Sequence, residues 1–206
     1  MPTGNDDLIT GVDVRGFFQS AVAGALERQS IAVQEETAIY LVNLLTTYVR
    51  AETLYDRTPE GVRLLPLAEI YGHAVNASSL EDRDRALQRL GDLALFISGL
   101  FADSLSRSLV DIDYYIAMGG NAYGCLAGSG RRGWARTALR QVFSELAGRF
   151  PDMVEVLAEV GDNANLRHSC DVLRLYEIWL STGSRRAAVK LRRLGIDPVS
   201  TRRLTH

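Results

Sequence analysis

The chain has 206 residues, 47% hydrophobic and 23% charged, with a formal net charge of −2, a balance that excludes a disordered, collagenous or supercharged polypeptide. At this length a sizeable core can be buried, and the sequence reads as one helical domain over 1–206, with a mobile N-terminus at 1–10 and a basic tail at 196–206. Charge is uneven along it: residues 1–128 hold 9 basic and 17 acidic groups, giving −8, and residues 129–206 hold 14 basic and 8 acidic groups, giving +6.

Attraction between the two halves within the fold is the favoured reading of that asymmetry, and a basic end that meets an acidic partner is its rival. The opening MPTGNDDLIT carries acidic residues where a signal peptide needs basic ones, and no apolar run follows it. The expected location is therefore the cytoplasm.

Prolines stand at 2, 59, 66, 151 and 198, with none from Leu67 to Phe150, and no Asn-Gly or Asp-Gly pair marks a hairpin. The expected fold is all-α, a single compact bundle of eight or nine helices. A first helix starts after Asp13, with Phe17, Phe18, Ala21, Val22, Ala25 and Leu26 at helical spacing. A second runs from about Val33 to Tyr55, and its apolar run from Ile39 to Leu45 leaves almost no polar face, so it is expected at the centre of the bundle. The stretch 56–66, with two prolines and Gly61, reads as a loop before a short helix over about 67–76.

Ser78 and Glu81 have the spacing of a capping box, with Ser79 as the alternative cap, and open a long helix that continues to Ser104. Asp111 or Asp113 caps the next, which contains YYIAMGGNAYGCLAG and ends near Gly128 and Gly130. That uncharged stretch holds too many glycines to cross a membrane, so no transmembrane segment is expected. A helix over about 133–148 follows, then one with Pro151 at its first position that reaches Val160. The last two lie at about 169–180 and 184–194, with Gly183 and Gly195 as stops.

Chemistry concentrates between Leu90 and Gly124. Asp92, Phe96, Gly99 and Asp103 share one helical stripe, and Asp92, set among Leu90, Leu93, Leu95 and Phe96, is the carboxylate expected to be partly buried. A buried carboxylate must be paired, hydrogen-bonded or protonated. A ligand pocket would combine Asp92 and Asp103 with Tyr114, Tyr115, Gly120, Tyr123 and Gly124 of the next helix. The plainer reading pairs Asp92 with Arg89 or a helix end and makes Asp103, Asp111 and Asp113 caps. Gly120, Gly124 and Gly128 recur every four residues, a smooth face for a neighbouring helix, a second subunit or a flat ligand, with packing inside the fold favoured.

Cys125 and Cys170 lack CxxC spacing and read as reduced, mostly buried thiols. Glu69 and His73 share a helical face and could give two metal ligands, but the only other histidines are His168 and His206, and no metal or cofactor is expected. Ser129, Arg131, Arg132 and Arg136 stand just before or within the start of a helix, where an anion or acidic partner is favoured, without a Walker ending. The tail from Ser184 carries seven basic groups against Asp197, yet matches a helix-turn-helix only loosely, so nucleic acid is not the expected partner.

The segments LGDLALFISGLF, from Leu90, and VDIDYYIAMGGNAYG, from Val110, resemble those of a bacterial all-α family of uncharacterised function. The resemblance covers about the middle third and implies no activity. The leading expectation is a binding or regulatory protein that acts through contacts with a protein partner or as a homo-oligomer. Its rival is a small helical enzyme or ligand-binding protein with a pocket between the Asp92–Asp103 stripe and the Tyr114–Gly124 helix.

Overall fold

The computed structural model of the chain describes residues 14–48, 56–58, 61–63, 65–101, 111–129, 134–163, 184–186 and 188–189, without the side chains of 56–63 and 134–136. Among the described residues there are seven helices, not eight or nine: α1 (Val14–Arg28), α2 (Glu35–Tyr48), α3 (Leu67–Val75), α4 (Leu80–Leu100), α5 (Ile112–Gly128), α6 (Trp134–Gly148) and α7 (Phe150–Asn163). The helix expected at 169–180, most of that at 184–194, and both terminal segments lie outside this description.

One part of the expected loop is a short antiparallel hairpin, β1 (Asp56–Thr58) with β2 (Gly61–Arg63), in which Arg57 pairs with Val62 and Thr58 with Gly61. The absence of Asn-Gly and Asp-Gly removes only the two commonest turn pairs, and β-branched Thr58 and Val62 favour extended backbone.

Local signals set the helix ends. At the end of α1, Ser30 N–H donates to Glu27 O and Ile31 N–H to Leu26 O, with Ser30 at φ 54°. This is a Schellman motif built without glycine. Ser79, and not Ser78, caps α4: its Oγ accepts from Asp82 N–H at 3.0 Å and donates to the Asp82 carboxylate at 2.6 Å. Asp111 caps α5 by accepting from Ile112 N–H at 2.7 Å. Between α6 and α7 only Arg149 intervenes; Pro151 has no N–H to continue the ladder, and the next helix restarts with Met153 N–H on Arg149 O.

α4, not α2, is the central helix. It packs against α2, α3, α5 and α7, and Leu87, Leu90, Gly91, Leu93, Ala94, Leu95, Phe96, Ser98 and Gly99 are all buried. α2 turns an outer stripe of Glu35, Glu36, Ile39, Asn43 and Thr47 to the surface, with Ile39 45% exposed. Its apolar run is thus wider than its buried face. One cluster of buried hydrophobic residues draws on all seven helices.

Glycines let α4 sit this deep. A Cβ on Gly91 would lie 2.6 Å from the Tyr123 ring, and one on Gly119 would lie 2.3 Å from the Phe150 ring and 2.8 Å from Ala94 Cβ. The close approach on α5 is therefore at Gly119, while Gly120 and Gly124 meet Ala147 and Phe150 only at ordinary distance and Gly128 faces open space. The buried face of α5 is Gly119, Ala122, Tyr123 and Leu126. Cys125 lies on its exposed side, contrary to the expectation of a buried thiol, because it follows Tyr123 by two residues and is rotated off that face.

Candidate functional site

The buried faces of α2, α4 and α5 meet at one carboxylate. Tyr40 Oη of α2 donates to Asp92 Oδ1 at 2.6 Å, and Tyr123 Oη of α5 donates to the same oxygen at 2.7 Å. Gln88, one turn before Asp92 on α4, donates through Nε2 to Tyr40 Oη at 3.1 Å. Phe143 of α6 closes the group: it stacks on Tyr123 with ring centroids 5.6 Å apart and meets Tyr40 edge-on at 5.7 Å. Phe150 of α7 also packs against Tyr123, at 6.0 Å.

Burial decides the electrostatics. Enclosure pushes the Asp92 carboxyl up to about 6, against the two phenol donors and the Arg89 charge, which hold it down. Burial, then the neighbouring Asp92 charge, raises both tyrosine hydroxyls above their ordinary value, so they remain donors at any physiological pH. Carboxyls raised by burial beside specific hydrogen-bond partners occur both at functional sites and in structural networks.

Directly beside this group lies an open groove of about 190 Å³ between α4, α5 and α6, lined by Glu81, Asp84, Arg85, Gln88, Leu126, Ser129, Leu139, Arg140 and Phe143. Gln88 and Phe143 belong to both, so the wall of the groove rests on the Tyr40–Asp92–Tyr123 layer. Arg140 Nε donates to Ala127 O at 2.9 Å and Ser129 Oγ to Leu126 O at 2.9 Å, which ties the end of α5 to α6 and satisfies carbonyls its last turn leaves open.

Of the residues singled out in the sequence, the structure brings together Asp92 and Tyr123. Because Gly91 meets Tyr123 while Ala94 meets Gly119, α4 and α5 run antiparallel. Tyr115 therefore sits two turns, about 12 Å, from Tyr123 on the side away from Gln88. Tyr114 is 37% exposed and packs edge-on against Tyr115 at 5.8 Å. Asp103, Arg131 and Arg132 lie outside the described residues, as does the side chain of Arg136. Ser129 is in the groove wall.

On α3, Glu69 is half-buried and His73 exposed, and among the described residues no three His, Cys, Asp or Glu side chains converge as metal ligands. Gln88 was within reach of a sequence argument, being four residues before Asp92 on the same face. Tyr40 and Phe143 were not, since nothing local in α2 or α6 points to Asp92.

No family model, curated protein or solved structure matches the chain. Among the described residues no helix is long and apolar enough to cross a membrane.

Proposed function

We propose that this is a cytoplasmic helical binding protein that works through protein contacts, with the groove between α4, α5 and α6 as its contact surface. The composition of the groove carries the reading: Leu139, 44% exposed, supplies apolar surface with the buried Leu126 and Phe143 beside it, and Glu81, Asp84, Arg85 and Arg140 bring charges of both signs into the same lining. Exposed apolar surface set among polar and charged groups is a feature of protein interfaces. The volume of about 190 Å³ suits one or two partner side chains, whereas small-molecule and cofactor pockets run to roughly 300–1,000 Å³. The partner that fits is a segment with one aromatic or aliphatic anchor flanked by both acidic and basic residues.

A second reading, a ligand-binding or catalytic role for Asp92, is favoured by its carboxyl at about 6. Against it, Asp92 is not among the residues that line the groove, and its Oδ1 already accepts from Tyr40 and Tyr123.

Selection from a displayed peptide library tests the proposal, with the Leu139→Glu variant as counter-target. Leu139 is 44% exposed, so the variant is expected to fold. Peptides with an apolar anchor between opposite charges should be enriched, and should bind the variant at least about tenfold more weakly, a loss of about 1.4 kcal/mol. No enrichment, or peptides that bind both proteins equally, would remove the groove as the contact surface.

A further inference from the structure

α3 is apolar on its outer side as well as its inner one. Leu67, Ile70 and Ala74 are buried, while Ala68, Tyr71 and Val75 form a second stripe that faces solvent, with Tyr71 50% and Val75 64% exposed. Gly72 lies within this stripe, and a Cβ added there would meet nothing within 4 Å. Leu80, the first residue of α4, is exposed as well. A helix apolar on both sides is ordinarily covered on both. We propose that the outer stripe of α3 is covered by the same stripe of a second copy of this chain, in an antiparallel twofold dimer.

Shape and charge both select a second copy over an unrelated partner. A twofold axis makes one patch serve both sides, so the patch must fit itself. With two α3 helices laid antiparallel and the axis between residues 71 and 72, Tyr71 of one meets Gly72 of the other, and Val75 meets Ala68. Each large side chain falls on a small one, and the open space at Gly72 receives the Tyr71 ring of the other copy. Half-buried Glu69 and exposed His73 share one flank of the stripe. In the antiparallel pair that flank meets its own copy, so Glu69 of each chain is brought toward His73 of the other. An imidazole N–H can donate to a carboxylate whether or not the ring is charged.

α3 has only 9 residues, a length of about 13 Å, so the pair covers less than the roughly 1,600 Å² of a standard interface and should associate in the micromolar range. None of the stripe residues lines the groove between α4, α5 and α6, so the dimer and the groove can fail independently.

The test is analytical ultracentrifugation of the full chain from about 5 µM to about 500 µM, with circular dichroism to check the fold of each variant. Wild type should pass from monomer to dimer within that range. Tyr71→Glu and Gly72→Gln should each weaken the dimer at least about tenfold, the first by removing the large side chain and the second by filling its socket. His73→Glu sets two carboxylates against each other and should weaken it about threefold, and adding Glu69→Lys to that variant should restore it. Leu139→Glu, in the groove, should leave the dimer unchanged. A chain that stays monomeric to the highest concentration, a dimer indifferent to Tyr71→Glu, or one dissociated by Leu139→Glu would overturn the proposal. Should the Glu69→Lys double variant fail to fold, Tyr71→Glu and Gly72→Gln still decide it.

Discussion

At Asp92 Oδ1 two hydroxyl donors from different helices meet one acceptor, and the kind of substitution there matters more than its size. Asp92→Ala leaves the hydroxyls of Tyr40 and Tyr123 facing a void and should cost roughly 2–4 kcal/mol, read by urea unfolding at pH 7.5. Asp92→Asn keeps an acceptor and removes the charge, so at the same pH it should be neutral or stabilising. The folded-state value of about 6 lies above the ordinary 3.8, so the folded protein holds this proton more tightly than the unfolded chain. The resulting stability is complete below about pH 4 and is lost as pH rises through 6, on the order of 3 kcal/mol in all. Glu159, lowered by its bonds to Gln29 and Arg28, acts in the opposite sense, its contribution being lost as pH falls below the ordinary carboxylate range. Glycines separate in the same way by what lies opposite. Gly119→Ala drives a methyl into Phe150 and Ala94 and should destabilise by about 1–3 kcal/mol. Gly72→Ala, inside α3 with nothing within 4 Å, should stabilise by about 0.5–1 kcal/mol in the same assay.

At the level of single elements, end signals carry most of the information. Ser30 occupies a left-handed position at the end of α1 that glycine adopts without a Cβ penalty. Ser30→Gly should therefore raise stability by roughly 0.5–1 kcal/mol, visible as a higher melting temperature. The same locality explains what could be read in the sequence. α3 and α5 lie where periodicity and the cap at Asp111 put them, and α4 opens at one of the two serines proposed, because caps and 3.6-residue spacing are properties of neighbouring residues. Which helix is central was not legible: the run from Ile39 to Leu45 looks more apolar than α4, yet Ile39 is exposed, and it is the glycines at 91 and 99 that let neighbours close on α4 from several sides. The hairpin escaped because its turn uses neither Asn-Gly nor Asp-Gly. Asp92 was recognisable as a partly buried acid from its apolar flanks, and Tyr123 as a candidate beside it. Tyr40 is 52 residues away from Asp92 in sequence, and no local rule pairs them.

Across the whole molecule, contacts between distant segments hold the α1–α2 pair to α6 and α7. Gln29 donates to Glu159 at 2.7 Å, Arg28 pairs with Glu159, and Gln34 N–H donates to Glu145 at 3.1 Å. The Arg28–Glu159 pair takes its base from the acidic part of the sequence and its acid from the basic part, so it does not express the overall charge asymmetry. The Gln34–Glu145 bond holds α6, which supplies Leu139, Arg140 and Phe143 to the groove, and the Glu159 contacts hold α7. The groove thus combines a preorganised floor with exposed apolar and charged groups, which favours binding because little ordering remains to be done on association. The most direct measurement is the dissociation constant of the strongest selected peptide, by calorimetry at pH 7, for wild type, Leu139→Glu and Asp92→Asn. The account predicts at least about tenfold weaker binding to Leu139→Glu and retained binding to Asp92→Asn. Binding indifferent to Leu139→Glu, or abolished in a folded Asp92→Asn protein, would contradict it and move the contact from the groove to the interior carboxyl.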